Sequence, residues 1–243
     1  MPELKHTSFP LTTTDDNGKR VDSNRKTAIL EINHNGESVM ICIENCSLID
    51  TDVNVIVNAA NNAMRGGGGI DGVIHKKAGA MLLKSLEVEA PNGCATGEVV
   101  VTPAFGIPDF KFIFHTPGPV WKGGGDGEAA LLENCYWNSL NEANSRGLKS
   151  IGFCSISTGI YGYPLQDGAN IAVKTILDYI HSAIDEVGVF NVNQIVFAMF
   201  KEAEYEAFCT ALENSELPWK KDIEPSWNIF AAIKAWFKDL VTK

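Results

Sequence analysis

The chain has 243 residues, 45% of them hydrophobic, and a formal net charge of −10 at pH 7. That is enough apolar material for one substantial core with trimmings, yet no apolar run reaches the roughly 18–20 residues that span a bilayer. The negative balance argues against a general nucleic-acid binder, which gains affinity by neutralising phosphates with Lys and Arg; backbone amides and helix N-termini can still hold a small anionic ligand.

The N-terminal stretch lacks the basic-then-apolar pattern of a secretory signal, so the expected location is cytoplasmic. Residues 1–25 are polar and rich in Thr, Asp and Asn, and are expected to form a loosely ordered lead-in. The runs KTAILEIN and SVMICIEN then flank His34-Asn35-Gly36-Glu37, a hairpin signal. After it, short β-rich runs (VNVIVN, GEVVVTP, KFIFHT, SIGFCSIS, QIVFAMF) alternate with stretches of helical period. Ile70, Val73, Ile74, Ala78 and Met81 form one such stripe. Leu132, Cys135, Tyr136, Ser139, Leu140 and Ala143 form a second, with Gly147 placed to stop the helix. Val173, Ile176, Leu177, Ile180 and Ile184 form a third. Strands alternating with helices predict an α/β domain over 26–215, with a largely parallel sheet between two helical layers. In the tail, 216–243, Ile229, Ile233, Trp236, Phe237 and Leu240 share one helical face. That face would dock on the same domain, or serve a partner or a membrane surface.

Six cysteines are scattered without a C-x-x-C, and the five histidines make no H-x-x-x-H pair. Neither a disulfide framework nor a zinc site is expected. The chemistry concentrates instead where strands end, because ligands of open α/β sheets bind beyond the carboxyl ends of the strands. VNVIV runs into Asn58-Ala59-Ala60-Asn61 and then Gly66-Gly67-Gly68-Gly69-Ile70-Asp71. KFIFHT runs into Pro117-Gly118-Pro119. SIGFCSIS runs into Thr158-Gly159-Ile160-Tyr161-Gly162-Tyr163-Pro164. Three glycine-bearing loops therefore converge on one rim. None matches a Walker loop, and G-x-G-x-x-G is not properly met.

Within those loops, VNAANNAMRGGGGIDGVIHKKAG followed by STGIYGYP resembles the two signature loops of macrodomains, and among them the MacroD-type ADP-ribosyl hydrolases. The resemblance covers roughly residues 39–213. It implies a three-layer α/β/α fold and a site for ADP-ribose. By that resemblance, Asn61 contacts the distal ribose beside Asn58 and Ala60, and Asp71 positions the attacking water. Gly67, Gly68, Gly69 and Ile70 lie against the distal ribose and phosphate. Ser157, Thr158, Gly159, Ile160 and Tyr161 wrap the diphosphate, and His75 lies one helical turn beyond Asp71. Each has a plainer alternative: Asp71 as a helix cap, Asn61 as a loop brace, 157–161 as an ordinary strand-to-helix turn, and His75 as the partner of a neighbouring loop. His115 reads as structural.

The sequence also departs from the pattern. Where many family members place an aspartate that reads the adenine amino group, this chain has Ser47, so that role would pass to Asn45, Ser47 or backbone groups. Phe200 would stack on the adenine. No Cys lies between Asn61 and Asp71, unlike the zinc-containing branch, so no metal and no cofactor are implied. The resemblance implies a hydrolase that frees mono-ADP-ribose from acidic side chains of proteins or deacetylates O-acetyl-ADP-ribose. Its partners would be ADP-ribose and ADP-ribosylated proteins. The alternatives are a non-catalytic reader of ADP-ribose, or an interaction module with a vestigial pocket.

Overall fold

β-branched and aromatic runs of period two become strands here, and apolar residues spaced at three and four become helices. The computed structural model describes residues 5–8, 13–14, 20–21, 26–34, 37–184 and 190–215. The strands are β1 (Lys5–Ser8), β2 (Thr13–Thr14), β3 (Arg20–Val21), β4 (Lys26–His34), β5 (Glu37–Glu44), β6 (Val55–Ala60), β7 (Val100–Pro103), β8 (Phe112–Pro117), β9 (Ser150–Phe153) and β10 (Gln194–Ala198). The helices are α1 (Gly69–Ala78), α2 (Ala80–Glu89), α3 (Glu128–Ser145), α4 (Leu165–Ser182) and α5 (Glu202–Glu213). A 3-10 turn, Leu48–Asp50, follows β5.

The main sheet runs β1-β4-β5-β10-β9-β6-β8-β7. From β5 to β8 every neighbour is parallel. β4 joins β5, β7 joins β8 and β1 joins β4 in antiparallel fashion. The sheet is thus mixed and largely parallel: seven strands from residue 26 onward, with an eighth drawn from the lead-in. In the expected hairpin, His34 stands opposite Glu37; the Asn-Gly turn at 35–36 lies outside the described residues, as does most of 1–25. The tail at 216–243, where an amphipathic helix is expected, lies outside them too.

On one face of the sheet an aromatic core forms. Tyr136 of α3 meets Phe153 of β9 at 5.2 Å between ring centroids, and Phe197 of β10 meets Phe208 of α5 at 4.9 Å. On the other face α1 lies over β6, burying Ile74 and Ala78. All six stripe residues of α3 are buried, and Gly147 sits at φ 65° just beyond its end. The stripe from Ile70 to Met81 needs correction. Gly79, at φ 82°, breaks it into α1 and α2. Met81 falls in α2 and is 54% exposed, and Val73, within α1, is 39% exposed. The apolar spacing simply ran across two helices with different buried faces.

Candidate functional site

Because β5, β6, β8, β9 and β10 are parallel, their carboxyl ends share one rim, and a cleft of about 850 Å³ opens there. Its walls come from the turn after β5, the glycine loop after β6, Gly118 after β8, the turn after β9 and the chain after β10.

Asp71 lies in the first turn of α1 and reaches the cleft while almost wholly buried, at 4% exposure. Its Oδ1 accepts a hydrogen bond from Asn58 Nδ2 at 2.7 Å, with His75 Nε2 at 3.4 Å. A Cβ placed on Gly67 would stand 3.1 Å from Oδ2. One carboxylate oxygen is therefore held by protein while the other borders the glycine loop. Burial raises the Asp71 pKa above its ordinary value, against the lowering effects of the Asn58 bond and then of His75. The helix N-terminus also favours the anion. The capping alternative does not describe this carboxylate: the N-cap of α1 is Gly68, with no side-chain bond.

Behind Asp71 the network continues inward. Asn58 Nδ2 also lies 3.0 Å from His115 Nδ1. An amide nitrogen only donates, so this imidazole nitrogen accepts and the ring proton sits on Nε2. Nε2 is 3.0 Å from Thr102 Oγ1. Burial first, and His75 second, pull the His115 pKa down to about 3, so the ring is neutral. His115, which the sequence reading kept apart from the chemistry, is fully buried and bonds the Asn58 amide that bonds Asp71.

The glycine loop folds back through Asn61, whose Nδ2 donates to the Gly66 carbonyl at 2.8 Å. Asn61 braces the loop and lines the cleft at once. Gly66 packs on the His75 ring, where an added Cβ would make contact at 3.4 Å. Opposite, Ser157 takes a left-handed φ of 66°, costly for a residue with a Cβ. The turn closes through Tyr163 N–H to the Ser157 carbonyl and Gly162 N–H to the Gly159 carbonyl. The N–H groups of Gly159, Ile160 and Tyr161 are left without an acceptor among the described residues. Thr158 does not face the cleft; its hydroxyl bonds Ser155 Oγ at 2.6 Å and tightens the turn.

Trp121 N–H reaches over to the Tyr161 carbonyl at 2.9 Å. The loop carrying Trp121 is tied by Glu128, whose carboxylate accepts from the backbone of Lys122, Gly124 and Asp126. Backbone hydrogen bonds, its own N–H first, hold the Glu128 carboxyl below its ordinary value despite desolvation. Gly118 lies close under Ser157: a Cβ there would come within 2.1 Å of Ser157 Oγ.

At the far end the cleft is lined by Ser47, Leu48, Ala198, Phe200, Lys201 and Glu204. Of the residues singled out in the sequence, Ser47, Ala60, Asn61, Gly67, Gly68, Gly69, Ile70, Asp71, Ser157, Gly159, Ile160, Tyr161 and Phe200 line it together. Asn58, His75 and Thr158 stand behind its wall, bonded to residues that do. Asn45 points elsewhere, donating to the Met199 carbonyl at 3.1 Å. Gly118 lies in one of the three loops expected to converge on the rim, whereas sequence reasoning missed Cys154, Lys201 and Glu204; Cys154 directly follows a strand, which was the available signal. Burial pushes the Cys154 thiol up to about 12, so it is a protonated wall.

The Macro domain family model matches residues 57–172. A macro domain-containing protein of Chlorobaculum tepidum is 40% identical over 176 residues, covering 72% of this chain and 97% of its own length. A protein of Escherichia fergusonii named O-acetyl-ADP-ribose deacetylase is 49% identical over 130 residues, covering 53% of this chain and 73% of its own. Among solved structures, the Oceanobacillus iheyensis macrodomain with ADP aligns with a TM-score of 0.68 at 36% identity, over 77% of this chain and 96% of that one. The Trypanosoma brucei macrodomain in complex with ADP-ribose gives a TM-score of 0.62 at 37% identity, over 70% and 68% respectively.

Proposed function

Because the chain belongs to the Macro domain family, we propose that its cleft binds ADP-ribose. We further propose that it is a hydrolase, cleaving mono-ADP-ribose from acidic side chains of proteins and deacetylating O-acetyl-ADP-ribose. The observation that carries the catalytic part is Asp71: a buried carboxylate at a helix N-terminus, with one oxygen fixed by Asn58 and the other bordering the Gly67 strip. Relatives whose names include ADP, ADP-ribose and O-acetyl-ADP-ribose deacetylase support the ligand class.

In this reading the N–H groups of Gly159, Ile160 and Tyr161 hold the diphosphate, as successive backbone amides do for anions. The Asn61 amide, both donor and acceptor, serves the distal ribose hydroxyls. Asp71 Oδ2 accepts a hydrogen bond from water and aims its oxygen at the ester. Attack at the anomeric ribose carbon forms one carbon–oxygen bond from water and breaks the bond between that carbon and the ester oxygen. The carboxylate departs with the ester electrons, and the water proton passes to Asp71 and then to solvent. A carboxylate leaves readily, so one positioned base suffices without a strong general acid. Cys154, protonated, offers no competing nucleophile.

The test uses a protein carrying mono-ADP-ribose on acidic side chains. The parent chain should release ADP-ribose, and Asp71→Ala should release it about 10²–10⁴-fold more slowly, the usual worth of a positioned base. Calorimetry should find ADP-ribose bound by both. Binding without release by the parent would sink the enzymatic claim and leave a reader.

A further inference from the structure

The far end of the cleft differs in character from the end that holds Asp71. β5 and β10 run side by side, with Ala198 opposite Glu44. Just past their ends the two chains are tied: Met199 N–H donates to the Glu44 carbonyl at 2.8 Å, and Asn45 Nδ2 to the Met199 carbonyl. This link brings Ser47 and Phe200 to the same mouth. Leu48 and Ala198 are buried there, while the Phe200 ring is 74% exposed beside the cleft. An apolar slot with an exposed aromatic face suits a flat heterocycle, which gains by stacking.

The polar groups at this end are few. Glu204 is already engaged, accepting from Lys201 N–H at 3.2 Å and pairing with Lys201 Nζ at 3.6 Å. Asn45 is committed to Met199. Ser47 heads the 3-10 turn, yet its hydroxyl makes no capping bond. Among the side chains that line this end, the group left to meet the edge of a base is therefore the Ser47 hydroxyl. A carboxylate in that place could only accept, and so would demand the amino group of adenine. A hydroxyl rotates to accept or to donate. It can accept from a 6-amino group or donate to a 6-oxo group at equal cost.

We infer that the cleft takes nucleoside diphosphate riboses of both 6-amino and 6-oxo purines, with Ser47 as the residue that leaves the base choice open. The inference rests on the proposed reading of the site as one for ADP-ribose.

Calorimetry with ADP-ribose and inosine diphosphate ribose tests it, on the full chain and on the variants Ser47→Asp and Ser47→Ala. The parent should bind the two ligands within about threefold, less than one net hydrogen bond is worth. Ser47→Asp should separate them by about tenfold or more in favour of ADP-ribose, by setting an acceptor against the 6-oxo group. Ser47→Ala should weaken both alike. Tenfold or greater preference for ADP-ribose in the parent overturns the inference while leaving ADP-ribose binding intact. Equal binding by the parent and by Ser47→Asp removes Ser47 from the base edge and overturns it as well. If neither ligand binds the parent, the reading of the cleft as an ADP-ribose site fails first, and this inference with it.

Discussion

At the scale of single residues, Asp71 carries a conflict between its burial and its charge. Burial holds its folded-state pKa above the unfolded value. Such an acid contributes stability below its unfolded pKa, and that contribution is lost as pH rises through the folded pKa. At neutral pH the ionised side chain therefore works against the fold. Asp71→Asn keeps an oxygen that can accept from Asn58 Nδ2 and removes the charge. Its thermal midpoint at pH 7 should exceed that of the parent, and the gap should close as the pH falls below about 4. A midpoint gap that does not change with pH would show that packing, not charge, sets the difference. Asp71 and Asn61 were singled out through the resemblance of the loops around them to macrodomain signature loops, and both line the cleft. The chain from Asn58 through His115 to Thr102 was not legible in the sequence. It joins residues that become neighbours only when β6 pairs with β8 and β8 with β7, and no local pattern announces such pairs.

At the scale of elements, the turn after β9 combines one strained residue with one unstrained glycine. Ser157 is left-handed, whereas Gly159 is not, and a Cβ on Gly159 would meet nothing within 4 Å. Gly159→Ala should therefore fold normally, with stability changed by no more than about 0.5 kcal/mol. Gly159→Glu should fold too, yet its carboxylate stands beside amides left for an anion. Like charges forced together cost several kcal/mol, so ADP-ribose affinity should fall about a hundredfold or more. Unchanged affinity in calorimetry would mean that the turn does not hold the diphosphate. Periodicity located α3 and α4 well because each buries one continuous stripe. It failed at Gly79 because two short helices carried apolar residues at spacings that mimic one. It also passed over α5, although Tyr205, Phe208, Cys209 and Leu212 are buried at three-and-four spacing; the stretch of Glu and Ala around them diluted the signal.

At the scale of the whole molecule, the site depends on a core it does not touch. Phe153 sits between Tyr136 at 5.2 Å and Phe197 at 6.0 Å, on the sheet face opposite α1. Phe153→Ala should cost about 3–5 kcal/mol, read as a lower urea midpoint. A loss below about 1 kcal/mol would mean that this aromatic cluster is not the centre of the fold. The fold class was legible in the alternation of strands and helices. The strand order was not, since β10, among the last elements made, pairs between β5 and β9. Nothing local in residues 194–198 says where in the sheet they insert.

Gly118 and Ser157 meet where two neighbouring loops cross beneath the cleft. A single added carbon at Gly118 would collide with Ser157 Oγ and with Ile156 Cγ2, at 2.1 and 2.7 Å. To make room, the Ser157 hydroxyl would have to rotate away and the Ile156 side chain would have to shift, beside a backbone already in an unfavourable region. The spacing between the two sides of the cleft is thus metered by an atom the chain does not have, and the smallest possible side chain at Gly118 would act as a wedge driven beneath the ligand.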